Sequence, residues 1–252
     1  MRSGNPALKP ETFTHYSTTV TGQSQGETMS LAGVTNKTGL LLLFLCGGAG
    51  ITWKLVAMHS PALMPLFFGG LLANVILSMI IIFKKDTAPL LSIPYAFCEG
   101  LTLGGLSAIF EMRYPGIVMQ AVGATFGTLL CLLAAYRSGL IKPTENFKLG
   151  VVAATGGLCM LYTMTLLLRL FGMNMPFVHD TGLFGIIFSL GVVVVAALNL
   201  VLDFDFIESG VDAGAPKSLE WYAAFGLMVT LIWLYLEILN LLAKLQGGSR
   251  RD

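Results

Sequence analysis

Seven long apolar stretches, set between short polar connections, dominate the pattern of this chain. They run Gly39–Met58, Pro61–Phe83, Ala88–Phe110, Ile117–Tyr136, Gly150–Phe171, Gly182–Leu202 and Gly226–Leu245. Hydrocarbon about 30 Å thick takes about 20 residues of α-helix at 1.5 Å each, so each stretch predicts one membrane-spanning helix. The expected fold is all-α, a polytopic membrane protein with a seven-transmembrane-helix bundle over residues 36–245. Residues 1–35 are polar, rich in Ser, Thr and Gly, and lack the charged-then-apolar order of a signal peptide. A disordered tail is expected there. Residues 246–252 form a short basic tail.

The informative positions are the few that break the pattern. Asp203 ends the sixth stretch, Glu237 lies inside the seventh, and Glu99 lies inside the third. An ionisable group in a membrane helix costs roughly 2.5–3.5 kcal/mol on insertion scales, and so marks function by default. Helix faces are read from neighbours three, four and seven residues away. Around Glu237 that stripe holds Thr230, Trp233, Asn240 and Lys244, against Leu, Ile and Val opposite. Around Glu99 it holds Ser92, Tyr95 and Thr102. Before Asp203 it runs Gly185, Ser189, Val192, Ala196 and Asn199, mostly small or polar. Small residues at this spacing let membrane helices approach closely, so all three acids are predicted to face the bundle interior.

Each acid also has a plainer reading. Asp203 fits a membrane exit, because Asp205, Glu208 and Asp212 follow quickly. Glu237 fits a structural partner of Lys244 or Asn240, and Glu99 fits a helix-packing contact. Lys54 stands near the end of its stretch and snorkels to the interface. Whether Asp203 and Glu237 meet depends on where the last helix begins. A start at Trp221 would put Glu237 about 24 Å along it, too deep for a partner near the end of the sixth helix. Pairing requires Ser218–Phe225 to form a separate interfacial turn and the membrane helix to start near Gly226. If the two acids met, they could not both ionise cheaply and would titrate as a unit. One shared proton would then latch two helices. As a metal site the pair is incomplete, because calcium takes six to eight oxygens; weak, transient calcium contact at Asp203 and Glu237 suits passage better than storage.

Composition agrees with the membrane reading: 55% of residues are hydrophobic and 12% charged, against about 25% charged in soluble domains. A net charge of +1 gives no electrostatic footprint for nucleic acid. Cys46, Cys98, Cys131 and Cys159 all fall in apolar stretches and read as core residues, with neither disulfide nor zinc spacing. Basic residues of short loops set orientation. With the N-terminus cytoplasmic, inner loops hold Lys37, Lys84, Lys85, Arg137, Lys142, Lys148 and Lys217, and outer loops hold Arg113 and Arg169. Lys244, Arg250 and Arg251 in the C-terminal tail argue the other way. No HExxH, GxSxG or Walker loop is present, and the acids lack the YD and GxGD contexts of intramembrane aspartic proteases, so no enzyme is expected. A proton-coupled transporter finds no inverted repeat in the segment pattern.

Five pieces, NKTGLLLL at 36–43, AFCEGLTLG at 96–104, AVGATFGTLL at 121–130, LNLVLDFDFIE at 198–208 and LYLEILNLL at 234–242, carry a family likeness. The chain resembles the Bax inhibitor-1/YccA family, in a bacterial-type branch. The resemblance implies seven helices with the last at the centre, and a pH-sensitive calcium leak in the bacterial cytoplasmic membrane. It also implies a pH sensor of two aspartates, one ending helix six and one in helix seven. Asp203 matches the first. Glu237 occupies the second, where the family usually has Asp. A basic residue near the inner end of helix two pairs with the helix-six acid in the family, and Lys84 with Lys85 stands nearest here. Asp205 lies where other branches have an amide. Glu99 matches a frequent family acid and, with Asp205, Asn240, Thr230 and Lys84, is expected to line or assist the path.

Two functions follow from these residues and the resemblance. The first is a cation leak, with calcium as permeant ion and no tightly bound cofactor, gated by protonation of Asp203 and Glu237. The second is a non-conducting regulator that binds another membrane protein. The family is linked to restraint of a membrane-anchored AAA protease and to cell-death regulation. The tail 1–35 and the loop 204–220 are the surfaces available to such a partner.

Overall fold

The computed structural model describes residues 28–172 and 182–248. Among these, seven α-helices are long and apolar enough to cross a membrane. They are α1 (Leu31–Ala57), α2 (Leu63–Phe83), α3 (Ala88–Arg113), α4 (Ile117–Arg137), α5 (Glu145–Leu170), α6 (Leu183–Asp212) and α7 (Leu219–Gly248). A 3-10 turn, Lys85–Thr87, precedes α3. The chain is an all-α integral membrane protein. α7 is the most enclosed helix, with 61% of its apolar stretch buried. Most of the tail expected over residues 1–35, and Arg250 and Arg251, lie outside the described residues.

Local chemistry fixes the helix ends. Ser30 stands extended before α1, and its hydroxyl accepts the Gly33 amide at 3.0 Å; Thr144 caps α5 through the Phe147 amide at 3.3 Å. Such caps satisfy amides that the first helical turn leaves unpaired. Gly139 and Gly214 follow α4 and α6 with φ of 74° and 64°, a left-handed turn that glycine adopts without steric cost.

Three boundaries differ from those the sequence predicts. α1 begins at Leu31, so residues 31–35 belong to the first helix and not to a loose tail. α6 runs nine residues past Asp203 to Asp212, with Phe204, Phe206 and Ile207 buried. α7 starts at Leu219 and passes unbroken through Gly226. The separate turn at Ser218–Phe225 does not form, because Tyr222, Ala223, Ala224 and Phe225 are all buried and Phe225 packs edge-on against Tyr95 at 4.9 Å. Packing here outweighs the weak helix propensity of one glycine. Cys46, Cys131 and Cys159 are exposed and are not the core residues that the sequence predicts, and Cys98 is half-buried.

The helices fall into two compact units. One contains α4, α5, α6 up to Phe204 and α7 from Thr230. The other contains α1 to α3, the end of α6 and the start of α7 as far as Val229. In the second unit α1 and α3 are pressed together at glycines. A methyl group added at Gly100 would meet the Leu45 carbonyl, and one at Gly104 the backbone of Ala49. This is small-xxx-small packing, the membrane substitute for hydrophobic expulsion. Gly100→Ala and Gly104→Ala are each expected to destabilise the protein by about 1–3 kcal/mol through overpacking. Thermal unfolding in detergent would read this loss, with Gly50→Ala, where nothing lies within 4 Å of the added methyl, as a neutral control.

Candidate functional site

The stripe before Asp203 is buried along its whole length: Gly185, Ser189, Val192, Ala196, Asn199 and Asp203. Asp203 itself is 0% exposed. Nine helical residues follow it, as far as Asp212. Asn199 donates to Thr155 on α5 at 2.8 Å and to the Val195 carbonyl at 2.9 Å. Its amide oxygen, also buried, accepts no hydrogen bond. Thr230, on the stripe of α7, is buried as predicted.

Glu237 is 8% exposed and held by two donors from different directions. Tyr162 of α5 donates its hydroxyl at 2.9 Å, and Trp233, one turn earlier on α7, donates its indole N–H at 3.2 Å. Both reach the same oxygen, Oε1. Lys244, two turns later, acts on Glu237 electrostatically. Its ammonium is buried and donates to Ser189 at 2.8 Å and to the Gly185 carbonyl at 3.3 Å. Lys244 is therefore an internal cation of the helix and not a charge of the C-terminal tail.

These contacts fix the register of α6 against α7. Ser189 precedes Asp203 by fourteen residues, and fourteen residues back from Lys244 is Thr230. Because the two helices run in opposite directions, Thr230 marks the level of Asp203. Glu237 lies seven residues farther along, a rise of about 10 Å. The bonded partners of Glu237 are Tyr162 and Trp233, and the two acids occupy different levels of the unit.

The other expected residues separate by burial and by partner. Glu99 is half-buried on α3 and accepts from the Asn74 amide of α2. Asp205 is half-buried. Asn240 is exposed and does not line the interior; at three residues from Glu237 it falls on the outward edge of that face. Lys84 is exposed, whereas Lys85 lies over the Tyr222 ring at 5.6 Å. Among the described residues no three His, Cys, Asp or Glu side chains converge as a metal site.

The family comparison covers nearly the whole chain, matching the description Bax inhibitor 1 like over residues 5–247. The chain belongs to the Bax inhibitor 1 like family. No curated protein and no solved structure matches it.

One constellation in this Bax inhibitor 1 like chain is not legible in the sequence motifs. Glu220, 0% exposed in the first turn of α7, accepts from the Ser30 amide at 2.9 Å and the Ser30 hydroxyl at 3.1 Å. Its second oxygen pairs with Lys37 of α1, and Lys37 also lies 5.4 Å from the Trp221 ring centre. A methyl group at position 33 would meet the Glu220 carboxylate and push it from this position. The Met29 amide adds a 2.7 Å bond to the Ala215 carbonyl. These contacts clamp the start of α1 to the start of α7. Read alone, Glu220 is an ordinary acid in a first helical turn; a basic residue in NKTGLLLL was the available signal. Likewise Asn74, an amide in the highly apolar α2, signalled a polar partner that proved to be Glu99. Lys37→Met strands a buried carboxylate and is expected to cost roughly 3–5 kcal/mol. Glu220→Gln keeps the Ser30 bonds and leaves a lysine able to reach water, so it should cost less. Thermal unfolding of the two variants in detergent checks the order.

Proposed function

We propose that this protein is a pH-sensitive leak for calcium or a related cation in the bacterial cytoplasmic membrane, with its N-terminus cytoplasmic and Glu237 as the principal gating acid. The observation that carries the reading is a buried carboxylate held in a polar seam of otherwise apolar helices. Tyr162, Trp233, Lys244, Ser189, Asn199 and Thr155 extend that seam along one unit. Membrane-level acids with internal partners mark ion and proton pathways. Asp203 acts from a separate level of the same unit, so gating uses two acids in series and no shared-proton latch. Calcium passes by weak, partly hydrated contact with single carboxylates.

Ionised Glu237 attracts a cation and protonated Glu237 does not. Calcium flux into proteoliposomes should therefore fall as pH is lowered, by up to about tenfold per pH unit for one titrating carboxyl. Glu237→Gln should be slow at every pH and lose that dependence. Asp203→Asn should lower flux while keeping the dependence on Glu237. Flux no greater than in empty vesicles at any pH would refute the leak.

One observation favours the second reading, a regulator of another membrane protein. The Thr28–Pro216 bridge and the Met29–Ala215 bond bring the end of the tail against the α6–α7 loop, joining the two surfaces such a partner would use. A partner cross-linked in native membranes only when residues 1–27 are present, together with absent flux, would favour it.

A further inference from the structure

Lys244 is the least expected charge in the membrane part of the chain. A lysine this long normally carries its ammonium out to the interface, and at the end of α7 the interface is close. Lys244 turns inward. It is buried, and it donates to a serine hydroxyl and a backbone carbonyl of α6, Ser189 and Gly185. Side chains on a helix lean toward its N-terminus, so from two turns away Lys244 leans toward Glu237, and the two interact electrostatically. Both hydrogen bonds to Glu237 end on Oε1, so Oε2 is not spent on either donor.

A carboxylate is an oxygen donor of the kind that hard cations take. In this structure an ammonium anchored on Ser189 and the Gly185 carbonyl compensates the Glu237 carboxylate. We infer that Lys244 is a tethered counter-cation that keeps divalent cations off Glu237, and that a cation occupies this part of the seam only when Lys244 is displaced. The inference rests on the leak reading for its role in the cell, where it makes Lys244 the residue that limits and selects the passing ion. The occupancy it describes can be measured without any flux.

The test uses terbium, a trivalent calcium mimic, with the purified full-length protein in nanodiscs. Trp233, in hydrogen-bond contact with Glu237, sensitises terbium emission, and Trp53→Phe with Trp221→Phe removes the other tryptophans. The parent should show weak sensitised emission. Lys244→Met should tighten terbium binding at least about tenfold, because one opposing charge is removed from a low-dielectric site. Lys244→Arg should behave as the parent, and Lys244→Met with Glu237→Gln should return to the weak level. Ser189→Ala, which only loosens the hold on the ammonium, should give a smaller gain in the same direction and serves if Lys244→Met does not fold. Equal binding in the parent, Lys244→Met and Ser189→Ala would overturn the inference, as would strong emission persisting without Glu237. Calcium flux in the same variants separates the two ideas. Tighter terbium binding without flux in any variant keeps the counter-cation and discards the leak. Flux with no change in binding discards the counter-cation alone.

Discussion

Inside hydrocarbon, a charge or a polar side chain must find its partner in the protein itself, and the arrangement of this molecule follows from that constraint. Three acids of the apolar helices have partners on a neighbouring helix: Glu99 on α2, Glu220 on α1 and Glu237 on α5. Lys244 has its partners on α6. Each such contact joins two helices at a defined height, which apolar packing alone does not do. The register of α6 against α7 is set by Lys244, and the start of α1 is set by Glu220.

The same constraint separates structural charges from usable ones. Glu220 receives three donors and carries its counter-charge in direct contact, a saturated clamp with nothing left to give a passing ion. Glu237 receives two donors on one oxygen and its counter-charge acts from two turns away. Its charge is compensated less closely, and it stands in a polar seam and not at a helix end. This difference is why the proposed gating role falls to Glu237 and a structural one to Glu220.

Much of this was legible in the sequence, and the failures have physical causes. The stripe Gly185–Asp203 and the inward face of Glu237 follow from helical periodicity, which hydrocarbon enforces strictly. α6 and α7 run longer than the apolar stretches because buried Phe204, Phe206, Tyr222 and Phe225 carry them past those limits. Gly226 opens the last apolar stretch, but the buried residues before it extend the helix back to Leu219. Asn240 is predicted inside from a three-residue step, yet it is exposed, past the edge of the seam. Glu220 with Lys37 was missed because its partners lie 183 and 190 residues away, a separation no local pattern reports. The resemblance matches Asp203 and Glu237 to the family's two sensor aspartates; the Lys244–Ser189 contact gives them different heights along α7 in this chain.

Carboxyl infrared difference spectroscopy during a pH titration measures the separation of Asp203 from Glu237 directly. With Glu237 identified by the loss of its band in Glu237→Gln, the account predicts that Asp203→Asn leaves the Glu237 band and its titration unchanged. A Glu237 band that shifts, or a titration that collapses from two coupled steps to one when Asp203 is neutralised, would show a shared proton and contradict it.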